Sequence, residues 1–195
     1  MRLACRRATD ASAAYVAKLL RPGDVLFLPS LRLPRLFSQT GGPVTDDTVS
    51  ANMLGPDGSA RLQKAVHNAV DILRPFSEKG AAVIFEGPKP VFKEPPYRCS
   101  DWFNKMNPIC AGGPTIDRQF IETVRAPILK GYAEIAAALP NIHVWDPLPT
   151  LCPAATCSTF RDGHPMFFDG DHITAYANKL LASDFVAAVD TALKK

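Results

Sequence analysis

The chain has 195 residues, enough to bury a full core as one domain, and its 47% hydrophobic and 21% charged content exclude disorder as the starting expectation. A net charge of +3 with no cluster of Lys and Arg excludes a nucleic-acid surface, and no apolar run approaches the roughly 18 residues of a membrane span, so the segment itself reads as soluble. The basic start, MRLACRRATDAS, lacks the apolar stretch of a secretory or lipoprotein signal.

In chain order, ASAAYVAKLL has helical spacing of apolar residues and stops at Arg21-Pro22-Gly23. DVLFLPS follows, a short and almost wholly apolar run of the kind that forms a parallel strand covered on both faces. A loop rich in Pro, Gly and Thr is expected through Pro56. The stretch DGSARLQKAVHNAVDILRPF then resumes a period of about 3.6 residues, with Leu62, Ala65, Val66, Ala69, Val70 and Leu73 on one side. AAVIFEG is a second buried strand. A cysteine-bearing loop, Pro88 to Pro114, leads to the helix IDRQFIETVRAPILKGYAEIAAAL, which Pro127 is expected to kink or divide. NIHVWDP is a third strand, CSTFRDGHPMFF reads as a hairpin, and a last helix from about Thr174 to Leu193 carries Ala177, Leu180, Leu181, Phe185, Val186 and Val189 at helical spacing. Strands alternating with helices predict a three-layer α/β/α sandwich around a parallel sheet, with no repeat and no linker across residues 1–195.

The chain contains five cysteines. Cys99 and Cys110 flank CSDWFNKMNPIC, and Cys152 and Cys157 bracket CPAATC; two local disulfides would pin two irregular loops. A four-cysteine zinc site is the rival reading, although metal ligands usually come as C-x-x-C pairs and neither spacing matches. Cys5 is left over, as a buried thiol or as half of a bridge to sequence outside the chain. Disulfides point to an extracytoplasmic compartment, against the cytoplasmic look of the N-terminus.

In open α/β sheets the chemistry gathers beyond the carboxyl ends of the strands. Ser30 and Arg32 follow the first strand, and Glu86, Lys89 and Phe92 follow the second. After the third comes MFFDGDHITAYANKLL, where aromatics break into Asp169, Gly170, Asp171 and His172 just before a helix. On a tight turn, residues three apart come side by side, so Asp169 can hold one nitrogen of His172 and fix its tautomer, leaving the other to take a proton from a hydroxyl. Asp171 is expected to point elsewhere. The plainer alternative is a polar turn, with an Asp bonding backbone amides, Thr174 capping the helix and His172 on the surface. His67 and His143, within a helix and a strand, are read as structural.

DGDHIT before the final helix, together with EGPKPVFKEPPYRCSDWFNKMNPICAGG and VWDPLPTLCPAATCSTFRDGHPMFF, resembles the SGNH (GDSL-type) hydrolase domain fused to the periplasmic side of acyltransferase family three membrane proteins. The resemblance runs from about Val25 onward. It implies the SGNH, flavodoxin-like version of the sandwich and a catalytic Ser, Asp and His, of which Asp169 and His172 match the D-x-x-H block. It further implies O-acyl transfer, usually of acetyl, from a donor delivered by a membrane domain to a cell-surface glycan such as lipopolysaccharide, exopolysaccharide or peptidoglycan. On this reading the segment is a periplasmic or extracytoplasmic part of a larger inner-membrane protein, with no nucleic-acid partner, cofactor or metal. Trp102, Phe92 and Tyr97 could stack on a sugar or pack their loop onto the core.

The family's Gly-Asp-Ser nucleophile block occurs nowhere in the chain, so the expectation is a partial domain whose serine and first strand lie upstream. Ser30 and Arg32 are the remaining candidates for oxyanion or substrate binding, against plain roles as a turn residue and a surface arginine. A carbohydrate O-acetylesterase, using water as acceptor, and an inactive remnant or accessory binding domain are the other readings.

Overall fold

A computed structural model describes residues 2–29, 46–104 and 106–194. Ser30 and Arg32 lie outside the described residues. The chain enters through α1 (Arg2–Leu19), turns at Gly23 with φ +87°, and passes into β1 (Val25–Leu28). Two helices follow, α2 (Asp46–Leu54) and α3 (Pro56–Glu78), then β2 (Ala82–Glu86). The cysteine loop holds one short turn of helix, α4 (Pro96–Cys99), before β3 (Thr115–Asp117) and α5 (Arg118–Ala138). β4 (Ile142–Trp145), α6 (Leu148–Leu151), β5 (Thr156–Ser158), β6 (Phe160–Arg161), β7 (His164–Pro165) and α7 (Ala175–Leu193) complete the described chain.

β1, β2 and β4 form one parallel sheet in that order, with Val25 opposite Ala82 and Val83 opposite Ile142. Side chains alternate across it, as the two-residue period of a strand requires. Val25, Phe27, Ile84 and Trp145 face α7, while Leu26, Leu28, Val83 and Phe85 face α1, α3 and α5. Both faces of the sheet pack against apolar side chains, which is why β1 and the first four residues of β2 read as unbroken hydrophobic runs, while β4 carries His143 between its apolar residues. The chain has the three-layer α/β arrangement that the sequence predicts.

Several local expectations change. The loop expected through Pro56 contains α2, which puts Met53 into the core, and α5 runs unbroken through Pro127. The start of the helix expected at Ile116 is instead a strand: β3 pairs antiparallel with β5, and Asp117 caps α5 by accepting a hydrogen bond from the Phe120 amide at 2.8 Å. The expected hairpin forms as β6 and β7 around Asp162 and Gly163, both at positive φ, the geometry that a two-residue Asp-Gly hairpin turn demands. Disulfides join Cys99 to Cys110 and Cys152 to Cys157, so these four thiols are not zinc ligands.

The rim residues after β2 are not open to a ligand. Lys89 Nζ lies 2.7 Å from Glu86 Oε2 with both side chains buried, and Phe92 is buried with its ring 4.9 Å from that of Phe167. A second ion pair sits at the end of β4, where the fully buried Arg125 reaches Asp146 Oδ2 at 2.6 Å and Asp146 Oδ1 accepts the Leu148 amide. Glu86–Lys89 is buried on both sides, whereas Asp146 is exposed and only Arg125 is buried; in each case separation strands a charge in apolar surroundings, which holds the loop in one geometry.

Replacing Lys89 by Met leaves the Glu86 carboxylate buried without its ammonium, so the free energy of unfolding in urea is expected to fall by about 3–5 kcal/mol. The double change Glu86→Gln with Lys89→Met is expected to recover most of that. A loss below about 1 kcal/mol in the single variant, the scale of an exposed pair, would contradict a framework role for the contact.

Candidate active site at the DGDH turn

The turn is anchored on both sides before any chemistry is considered. Met166 and Phe167 are buried, and they are tied down by the Met166 amide donating to Thr159 O and the Thr174 amide donating to Met166 O. Thr174 then caps α7, its hydroxyl oxygen accepting from the Ala177 amide at 3.2 Å while its proton goes to Pro165 O at 2.8 Å. Across the turn, the Phe168 amide donates to His172 O at 2.8 Å.

Gly170 makes the remaining contact. The Phe92 amide donates to Gly170 O at 2.8 Å, and a Cβ at position 170 would lie 2.4 Å from Phe92 O. Only glycine lets the backbone approach this closely. The loop after β2, braced by the Glu86–Lys89 pair, thus fixes where the turn sits.

Within the turn one carboxylate organises three donors. Asp169 Oδ1 accepts the amides of Asp171 at 3.0 Å and His172 at 2.8 Å, and the His172 ring nitrogen Nδ1 stands 3.0 Å from Oδ1 and 2.8 Å from Oδ2. The sequence-based alternatives, a backbone-bonding aspartate and an imidazole-holding aspartate, are both realised in the same side chain. Asp171 does not point elsewhere as expected: its largely buried carboxylate turns back, placing Oδ1 3.1 Å from the same Nδ1. The cause is the wrap of the backbone around Asp169 Oδ1.

An ionised carboxylate can only accept, so Nδ1 between two of them must carry the proton. In the neutral ring Nε2 is then the basic nitrogen. The ring is half-exposed, and among the described residues no hydroxyl bonds to Nε2. Asp169, Asp171 and His172 also each offer one metal-ligand atom, all within 4.8 Å of one another. A cation held through Nδ1 would displace the proton that defines the tautomer, so the hydrogen-bonded arrangement and a metal-bound one are exclusive.

Two aromatic residues border the turn. Phe168 is exposed and its ring centroid lies 5.0 Å from that of Tyr97 on α4, so the loop closed by Cys99–Cys110 meets the site here. Phe168 had no signal in the sequence beyond its place in an apolar run. Of the aromatics singled out from the sequence, Tyr97 and Trp102 are exposed and Phe92 belongs to the core. His67 lies on the exposed side of α3, 3.8 Å from Asp71, away from the turn.

Partial burial acts to raise the Asp169 carboxyl, but the two amides and the imidazole outweigh it and bring the pKa down to about 2. A carboxyl whose folded pKa is depressed contributes stability above its ordinary value of 3.8, and that contribution fades as pH falls toward about 2. Titration of the Asp169 carboxyl carbon by NMR is therefore expected to show a midpoint near 2, with the turn intact at pH 4. A midpoint at the ordinary value would contradict the hydrogen-bonded turn.

Comparison with known proteins supplies the family. Residues 2–187 match the family model described as SGNH domain (fused to AT3 domains), which extends the likeness to the N-terminal side of Val25 and into α1. Searches of curated proteins and of solved structures returned no match. The family association supports a general acyltransferase or hydrolase chemistry, a membrane acyltransferase partner domain and an extracytoplasmic setting. No helix among the described residues is long and apolar enough to cross a membrane. From its first helix to its last, the chain belongs to the family of SGNH domains fused to AT3 domains.

Proposed function

We propose that residues 1–195 act as one SGNH unit that transfers an acyl group, acetyl in the first instance, to a hydroxyl of a cell-surface glycan. The observation that carries this reading is the His172 ring, held at Nδ1 by Asp169 at 2.8 Å and half-exposed to solvent. Nε2 takes the proton from a serine hydroxyl supplied from outside the described residues as the serine oxygen attacks the donor's acyl carbon, and hands that proton to the donor's leaving group as it departs, so the ring is neutral again for the second half-reaction. The glycan hydroxyl then gives its proton to Nε2, its oxygen forms the new ester, and the serine oxygen leaves with the proton returned from the ring. Asp169 holds the ring and stabilises the imidazolium in both half-reactions, and Asp171 adds a second negative charge at the same nitrogen.

Supporting this reading are the family's association with AT3 domains and the two disulfides, which suit a periplasmic position beside an inner-membrane partner. The exposed Tyr97–Phe168 pair beside the turn offers ring faces to a sugar acceptor. Ser30 and Arg32 follow β1 in the sequence, and that order in the chain is what supports a part for them in oxyanion or substrate binding. The half-exposed ring also favours a second reading, ester hydrolysis, because water can reach Nε2.

Acyl transfer by the protein with its membrane domain is expected to fall by about four orders of magnitude on His172→Ala, with unfolding midpoint little changed. Product analysis with and without a glycan acceptor separates transferase from esterase. Unchanged product formation in His172→Ala would contradict both readings and leave an accessory binding role.

A further inference from the structure

The loop between β2 and β3 carries apolar side chains that the site does not use. Trp102 is 81% exposed, Phe103 65% and Met106 93%, and Ile109 is exposed beside them. Exposed apolar residues occur singly on any protein surface, but four large ones within eight positions form a patch that water does not favour. The patch is not a floppy excursion. Cys99–Cys110 closes its base, Asn107 caps a short 3-10 turn by accepting the Ile109 amide at 3.0 Å, and the Asn104 side chain donates to Arg98 O at 3.0 Å. Below it, a Cβ at Gly112 would lie 2.5 Å from the Lys93 Cβ, so the two ends of the loop are clasped together.

The shape of this tip selects its partner. The tip is not one continuous flat platform of the kind that lines a sugar subsite: the Trp102 and Phe103 rings meet edge to face at 89°, and Met106 and Ile109 are aliphatic. Mixed aromatic and aliphatic side chains projecting from a covalently closed base fit the boundary between headgroups and acyl chains, where an indole ring and apolar side chains both find a suitable medium. Among the described residues, Arg98 and Asp101 bring one exposed charge of each sign to the base of the tip, the polar rim that an interfacial apolar tip requires. The family is one whose members are fused to AT3 domains, and this places a bilayer within reach of the domain.

We propose that the Trp102–Ile109 tip inserts into the lipid surface of the membrane beside which the domain works. Because Tyr97 at the base of this loop packs on Phe168 next to the DGDH turn, an inserted tip keeps the turn close to the membrane surface. The inference goes beyond the acyl-transfer reading and stands whether or not that chemistry is confirmed.

The chain contains two tryptophans, Trp102 exposed and Trp145 buried, so fluorescence reports the tip against an internal reference. With vesicles of phosphatidylethanolamine containing a quarter phosphatidylglycerol, Trp102 emission is expected to move to the blue and the 195-residue chain to co-sediment. Trp102→Ser with Met106→Ser, both at exposed positions, is expected to weaken partitioning roughly tenfold or more while circular dichroism and Trp145 emission stay unchanged. Absence of vesicle binding would overturn the proposal. So would binding that the double variant retains in full, adhesion that moderate salt abolishes with no blue shift, or a Trp102 response to soluble glycan fragments in place of vesicles.

Discussion

One carboxylate, that of Asp169, accepts hydrogen bonds from the two amides that follow it and from the imidazole three residues on. The same bonds that close the turn aim the ring, so local fold and site geometry are not separable here. The turn itself has little apolar surface with which to hold its place. It borrows rigidity from its neighbours: Met166 and Phe167 below, the Thr174 cap beyond, and the Phe92 backbone alongside Gly170. Loss of any one support would leave the carboxylate and the ring adjacent in sequence without fixing them in space.

The supports trace back to the carboxyl edge of the parallel sheet. β2 ends at Glu86, whose buried pair with Lys89 shapes the loop that reaches Gly170, and β4 leads into Asp146, which Arg125 of α5 holds. Charges buried at strand ends are a poor way to gain stability, since apolar residues of the same volume often do as well. The Glu86–Lys89 pair at the end of β2, and the buried Arg125 against the exposed Asp146 at the end of β4, suit a need for a single loop geometry. The disulfides act farther out, Cys152–Cys157 at the ribbon of β3 and β5 and Cys99–Cys110 at the aromatic loop that meets the turn through Tyr97 and Phe168.

The parallel sheet was legible because Val25–Leu28, Ala82–Glu86 and Ile142–Trp145 read as short, mostly apolar runs, interrupted only by His143 and by Glu86 at the end of β2. α3 and α7 were legible from their periodic apolar sides. By contrast α2 is only nine residues long, with Met53 buried among its described side chains, and β3 is three residues with two exposed side chains. At the site, the Asp169–His172 pairing followed from spacing, whereas the burial of Glu86, Lys89 and Phe92 depends on how loops fold over one another. That information is long-range and leaves no periodic trace. Gly170 did leave a local sign, a glycine between two aspartates, but its reason lies in the Phe92 backbone nearly eighty residues earlier.

The most direct test is the tautomer of His172, read from the nitrogen-15 shifts and two-bond proton couplings of its imidazole at a pH where the ring is neutral. The geometry requires the proton on Nδ1, flanked by Asp169 and Asp171, with Nε2 bare and basic. A ring protonated on Nε2, or one averaging freely between the two forms, would mean that the carboxylates do not grip the imidazole in solution, and the catalytic reading of the turn would fail with them.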